Sequence, residues 1–273
     1  MKVVKTIKKI IRFLIKNYFL SIFFACIAFV ALVSIYKLFF VKPTYVYVKV
    51  KVGQGLWWAS TQKPPAWFID SFKNLKKSQE KDLTGKPIAE VLSIRYYPWW
   101  GSNQYDIYLL MKLRVTKMRS GKYNFKRSAI GVGSPVDFEF PKIQFSGTII
   151  KISDKPIKEN LITKKITIVK KWAFPWEGEK IIIGDKYFDG EEIVFEVLDK
   201  KIENAQESYN LSGLYYPVES ERKKHITIKA KIKVKEKNGQ FIFGEEQVIA
   251  YGKTINIATE NFQFNDYIIT QLE

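Results

Sequence analysis

The sequence has one cysteine and one histidine in 273 residues. Cys26 has no intramolecular partner, so no disulfide frames the fold. It also lies inside an uncharged apolar run, where it cannot act as a solvent-side nucleophile. A multi-histidine metal site cannot be assembled around His225 alone. There is no Walker loop and no GxGxxG. The acidic stretch GDKYFDGEE, with Asp185, Asp189, Glu191 and Glu192, departs from EF-hand spacing and reads as a turn. The expectation is a non-enzymatic chain with no cofactor and no metal.

Acidic residues are absent from the first 43 positions, which carry eight Lys/Arg of the 45 in the chain. The net charge is +18, and a basic balance suits anionic partners such as lipid headgroups or wall polymers. Tyr18 to Tyr36, YFLSIFFACIAFVALVSIY, contains no charge. As a helix, that length covers roughly 30 Å, about the hydrocarbon thickness of a bilayer. Lys2, Lys5, Lys8, Lys9, Arg12 and Lys16 precede it, whereas only Lys37 and Lys42 follow closely. The asymmetry predicts a single-pass signal anchor in a bacterial cytoplasmic membrane, N-terminus inside and the rest outside. A cleaved signal peptide fits less well, because Phe39-Phe40-Val41-Lys42-Pro43 is a poor cleavage site. Lipidation of Cys26 fits poorly too, since the apolar run continues through it. Residues 2–16 interleave apolar residues with lysines, a pattern that suits the inner leaflet. With the bulk of the chain outside, nucleic acid is excluded as a partner.

Beyond the anchor the pattern alternates. Val46, Val48, Val50 and Val52 mark one face of a strand. Residues 105–152 align with residues 224–272, which predicts a duplication. Ile107, Leu109, Met111, Leu113 and Val115 match Ile226, Ile228, Ala230, Ile232 and Val234. Ser120-Gly121 matches Asn238-Gly239, a hairpin turn. Phe125 matches Phe243, Gly133 matches Gly252, Val136 and Phe138 match Ile255 and Ile257, Phe145 matches Phe264, and Ile149 is set against Ile268. Upstream, Gly85 and Val91 correspond to Gly190 and Val197. The resulting expectation is a mainly β protein: residues 1–43 as basic tail and transmembrane helix, then two tandem small barrel or sandwich units at 44–153 and 164–273. Only the segment from Pro64 to Leu75 reads as a further helix, with Phe68, Phe72 and Leu75 on one face.

A basic tail, one span and β-repeats with Gly133-Ser-Pro-Val136 and Phe145-Ser-Gly-Thr-Ile149 elements resemble uncharacterised bacterial single-span families with extracytoplasmic β-domains. The same elements are distantly similar to the β-barrel parts of membrane-fusion (periplasmic adaptor) proteins, although no long helical hairpin separates the β parts here. The resemblance implies an assembly or adaptor role in an envelope complex, with protein partners or a second copy of the chain.

Seven tryptophans stand in comparable places. Trp57, Trp58 and Trp67 follow the first strand of unit one, and Trp172 and Trp176 follow Ile166–Val169. Trp99 and Trp100 lie in the loop before the hairpin, where Tyr215-Tyr216-Pro217 echoes Tyr96-Tyr97-Pro98. Burial as plugs of the barrel ends is the first expectation, because indoles fill large volumes while their N–H finds a carbonyl. The functional alternatives are a partner surface, a membrane-interface belt, or a stacking platform that would make the chain an envelope polysaccharide-binding module. Lys229, Lys231, Lys233 and Lys235, with Lys112 and Arg114 in unit one, form an outward basic face. It is expected to be a solvated face or edge guard before it is a site for anionic lipid or wall polymer.

Overall fold

The computed structural model describes residues 17–40, 43–53, 63–99, 104–211 and 214–273. The chain divides into two compact units, Met1–Thr44 and Tyr45–Glu273. In the first, Tyr18–Phe40 is helix α1, 23 residues long. Its described apolar side chains, among them Phe19, Phe23, Phe29 and Leu32, are exposed. Among the described residues no helix is both long and apolar enough to cross a membrane. Side chains at positions 20, 34, 35 and 37–40 of α1 lie outside that description, as does the basic segment 2–16.

The second unit is mainly β and contains the same architecture twice. Repeat one runs β1 (Thr44–Gly53), α2 (Ala66–Lys73), β2 (Gln79–Lys81), β3 (Pro87–Pro98), β4 (Tyr105–Lys117), β5 (Tyr123–Phe125), β6 (Ser128–Ile130), β7 (Pro135–Phe140) and β8 (Ile143–Ser153). Repeat two follows the same order: β9 (Ile162–Ala173), α3 (Pro175–Lys180), β10 (Lys186–Phe188), β11 (Ile193–Leu211), β12 (Leu214–Lys237), β13 (Gln240–Phe243), β14 (Gln247–Ile249), β15 (Thr254–Ala258) and β16 (Gln263–Leu272). The sheets are ordered β2-β3-β4-β1-β8-β7 and β10-β11-β12-β9-β16-β15, each with a side hairpin, β5-β6 or β13-β14. Each sheet curls toward a barrel around its own core.

Detail repeats as well as order. The inward faces of β4 and β12 are buried at every matched position from Ile107 to Val115 and from Ile226 to Val234. Both β3 and β11 carry a bulge, after Val91 and after Val197. Gly133 N–H donates to the Ile149 carbonyl at 2.7 Å, and Gly252 N–H to that of Ile269 at 2.8 Å. These bonds correct the alignment by one place. Ile149 is equivalent to Ile269, which is fully buried, while Ile268 is exposed. In a strand, a slip of one residue exchanges core for solvent.

Two further expectations change. A second helix, α3, occupies the place of α2, and proline precedes or opens both. Six residues with a central glycine carry too little periodicity to be seen. The echo of Tyr96-Tyr97-Pro98 in Tyr215-Tyr216-Pro217 is not one of equivalent positions. Tyr96 pairs with Ile107 and Ile202 with Ile226, so Tyr96 corresponds to Ile202. Tyr215–Pro217 belong instead to a two-stranded extension of β11-β12, which pairs as far as Leu211 with Leu214 beyond the last β9 contact at Lys224.

Candidate functional site

Outward-facing positions on repeat one are covered by repeat two, and the chemistry concentrates there. Lys49 and Lys51 on β1, Arg95 and Tyr97 on β3, and Tyr108 on β4 alternate with core residues, so their side chains leave the first barrel. Tyr97 and Tyr108 belong to the second core instead, and the Tyr97 ring lies 5.3 Å from Phe243. Tyr187 Oη donates to the Tyr96 carbonyl at 2.7 Å, and the Tyr96 N–H to the Asp189 carbonyl at 2.8 Å.

Around these rings lie two groups of ion pairs, one centred on Arg95 and Glu159 and one on Lys51. Asp189 is fully buried. It accepts from Arg95, from Tyr97 Oη at 2.9 Å, and from the Glu191 and Glu192 N–H groups at 2.9 and 3.0 Å. Arg95 also reaches Glu192 at 2.9 Å and Glu159 at 3.0 Å. The Nε contact to Glu159 is an ion pair in distance, though that N–H is not aimed for a hydrogen bond. Glu159, from the linker between repeats, also pairs with Lys49 and, at 2.8 Å, with Lys235; both lysines meet Glu245. Lys233 meets Glu192. Tyr108 Oη donates to Glu246 at 2.9 Å, and Glu246 pairs with Lys51.

The environment sets the protonation. Burial alone would raise the Glu159 carboxyl, but Lys49 and Lys235 reverse this and hold it at about 2. Burial, then the neighbouring Lys49 ammonium, push Lys235 down to about 7 against the pull of Glu159. Arg95 is raised: burial opposes its charge, and Asp189 and Glu192 overcome that. Both depressed groups give stability that increases with pH. The Glu159 contribution is complete above its unfolded value near 4.5 and disappears as pH falls toward 2. The Lys235 contribution grows as pH rises from about 7 toward 10.5. Urea midpoints measured against pH should therefore fall on the acid side in the parent and fall less in Glu159→Gln, where Glu192 and Glu246, also held below the usual carboxylate range, still contribute. The alkaline rise should vanish in Lys235→Met.

Clefts flank the network. One of about 780 Å³ is lined by Tyr96, Tyr105, Tyr187, Phe188 and Ile193, with Lys73, Lys76 and Lys186 at its margin. Another of about 300 Å³ includes Tyr97, Trp99, Asp106, Phe243 and Glu246. The network carboxylates are engaged by cations or phenols, which keeps them as charged acceptors and makes them struts between the repeats.

The anticipated site residues divide differently from their grouping in sequence. Trp57, Trp58 and Trp100 lie outside the described residues. The other four indoles are not core: Trp67 is 66% exposed, Trp99 43%, Trp172 48% and Trp176 55%. The barrels are filled by aliphatic residues, phenylalanines and tyrosines, such as Phe72 against Phe145 at 5.0 Å and the fully buried Tyr267, so the helices lie over them with their indoles outward. Lys63 stands over Trp99 at 4.0 Å. The basic face also separates. Lys229 and Lys231 are exposed, whereas Lys233 and Lys235 enter the network because repeat one covers that end of β12. Lys112 is half-buried over the Tyr45 ring at 4.4 Å, and Arg114 lies 3.7 Å from Asp82. Lys229→Gln and Lys231→Gln are expected to shift stability by less than about 0.5 kcal/mol, measured by chemical denaturation.

Sequence reasoning missed Lys49, Arg95, Glu159, Asp189 and Glu245. Charges at outward strand positions read as solvated; the only available signal was a charged linker residue, Glu159, beside lysine-bearing strands. No family model, curated protein or solved structure matches the chain.

Proposed function

We propose that this chain is a membrane-anchored, extracytoplasmic scaffold or adaptor of a bacterial envelope complex, with no catalytic role. The observation that carries the reading is the buried network joining the repeats through Arg95, Asp189, Glu159, Lys49 and Lys235. A fused pair of barrels with fixed mutual orientation can hold partners at defined separation, which a flexible tandem cannot. Helix α1, 23 residues whose sequence carries a single charge, Lys37, and exposes phenylalanines, serves as the anchor. Its uncharged run Tyr18–Tyr36 needs a lipid or protein surround. Anchoring confines the scaffold to two dimensions and raises its effective concentration for membrane neighbours.

The test has two parts. Protease added to intact spheroplasts should remove the Tyr45–Glu273 unit while cytoplasmic markers survive. Cleavage only after lysis overturns the topology. Cross-linking before mild detergent extraction should recover envelope proteins or a second copy. Recovery of the chain alone under several conditions overturns the adaptor role.

A second reading, an envelope polysaccharide-binding module, is favoured by the exposure of Trp67, Trp99, Trp172 and Trp176. Aromatic faces stack on sugar rings, and replacing these indoles with alanine should then abolish retention on wall polysaccharide without changing the melting temperature.

A further inference from the structure

Trp172 occupies a backbone position that suits glycine. In the β9-β12 pairing, Lys170 faces Ile226 and Ala173 faces Lys224, so Lys171 and Trp172 together oppose His225 alone. That is a β-bulge, and Trp172 takes its left-handed residue, with φ +66°. A bulky side chain in the left-handed region is an outlier. The indole is half exposed, so burial offsets little of the strain. Strain that the fold does not recover through packing points to a use for the side chain, and bulges re-aim side chains.

The surroundings supply the chemistry. Phe174 and Trp176 follow at alternate positions, both half exposed. Glu177 fixes this turn by accepting the Phe174 N–H at 3.0 Å. Lys223 Nζ lies 3.2 Å from the centre of the Phe174 ring. Lys171, which precedes Trp172, and Arg222, which precedes Lys223, are exposed. Of the acidic side chains described near these strand ends, Glu177 is paired with Lys170 at 2.8 Å and Glu203 with Lys201 at 2.8 Å, Glu219 accepts from the neutral Asn204 amide at 3.0 Å, and Glu179 is exposed beside the exposed Lys180.

We propose that Trp172, Phe174 and Trp176, with Lys171, Arg222 and Lys223, form a docking surface for an anionic phospholipid bilayer. Indoles favour the headgroup region, and lysine and arginine are drawn to negatively charged leaflets. Charge complementarity selects this occupant over a neutral glycan, since among the described side chains Lys171, Lys180, Arg222 and Lys223 outnumber the uncompensated Glu179 and Glu219. The inference does not rest on the α1 anchor or on the adaptor role.

The test uses the Tyr45–Glu273 unit, which contains both cores entire, in flotation with phosphatidylglycerol and phosphatidylcholine vesicles. Binding is expected only to the anionic vesicles, with a blue shift of indole emission and loss at about 0.5 M salt. Arg222→Gln and Lys223→Gln should each weaken it about fivefold. Trp172→Gly is the decisive variant: binding should fall about tenfold while the melting temperature stays level or rises, because glycine relieves the φ strain. The proposal is overturned if neither vesicle is bound or both are bound equally. It also fails if Trp172→Gly lowers the melting temperature and leaves binding unchanged, or if soluble polyphosphate or an oligosaccharide binds while vesicles do not.

Discussion

Asp189→Ala is expected to destabilise the Tyr45–Glu273 unit by about 3–5 kcal/mol, the range for removing one partner of a buried ion pair. Asp189 is wholly buried and accepts from Arg95, Tyr97 and two backbone N–H groups. The loss leaves Arg95 with a part-exposed Glu192 and a misaligned Glu159, deprives the buried Tyr97 hydroxyl of its acceptor, and removes the cap on the β10-β11 turn. Calorimetry should show not only a lower midpoint but also separation into two transitions, because each repeat retains its own core. Glu192→Gln is the contrast. Glu192 is a third exposed and Arg95 keeps two other carboxylates, so the effect should stay below about 1 kcal/mol. Replacing Arg95 and Asp189 together by Met and Leu should restore much of the stability, since a buried pair often gives way to apolar residues without loss. A single transition in Asp189→Ala, with a midpoint near that of the parent, would refute the network as the joint.

The second large effect is steric. Gly190, at φ +105°, faces β3 of repeat one so closely that a Cβ would stand 2.5 Å from the Ile94 carbonyl oxygen and 2.9 Å from the Tyr96 ring. Gly190→Ala must therefore move backbone against backbone. A loss of about 2–4 kcal/mol is expected, combining left-handed strain with the displaced junction. Gly239 isolates the strain alone: its φ is +74°, and a Cβ there would have nothing within 4 Å. Gly239→Ala should lose only about 1 kcal/mol. Equal losses for the two, measured by urea titration, would mean that the repeats do not press together at Gly190.

Much of this architecture was readable in advance. Alternation from Ile107 to Val115 and from Ile226 to Val234 identified the central strands and their buried faces, because period two in a strand is a direct record of which side meets the core. Turn glycines at 121, 133, 239 and 252 have positive φ, so the duplication was legible from backbone requirements as well as from hydrophobicity. The error at Ile268 came from a bulge in β16 between Phe264 and Tyr267, which pair with Ile257 and Ile255, whereas Phe145 and Gly147 pair in step with Phe138 and Val136; an extra residue leaves no mark in an alternating pattern. For the four described tryptophans, Trp67, Trp99, Trp172 and Trp176, large apolar area does not mean burial. The helices that carry Trp67 and Trp176 bury Ile69, Phe72 and Gly178 instead.

What the sequence by itself determined is local: strand faces, turns, the apolar helix and the repetition, each set by contacts between residues near in the chain or by backbone geometry. What only the tertiary structure decided is which outward residues became inward. Lys49, Arg95, Lys235 and Asp189 occupy positions that either repeat alone would leave in water. They join one network only because the second barrel covers the outer face of the first. The same packing leaves the Trp172 bulge uncovered, since burial at an outer face depends on what another part of the chain brings to it, and no pattern within the strand records that.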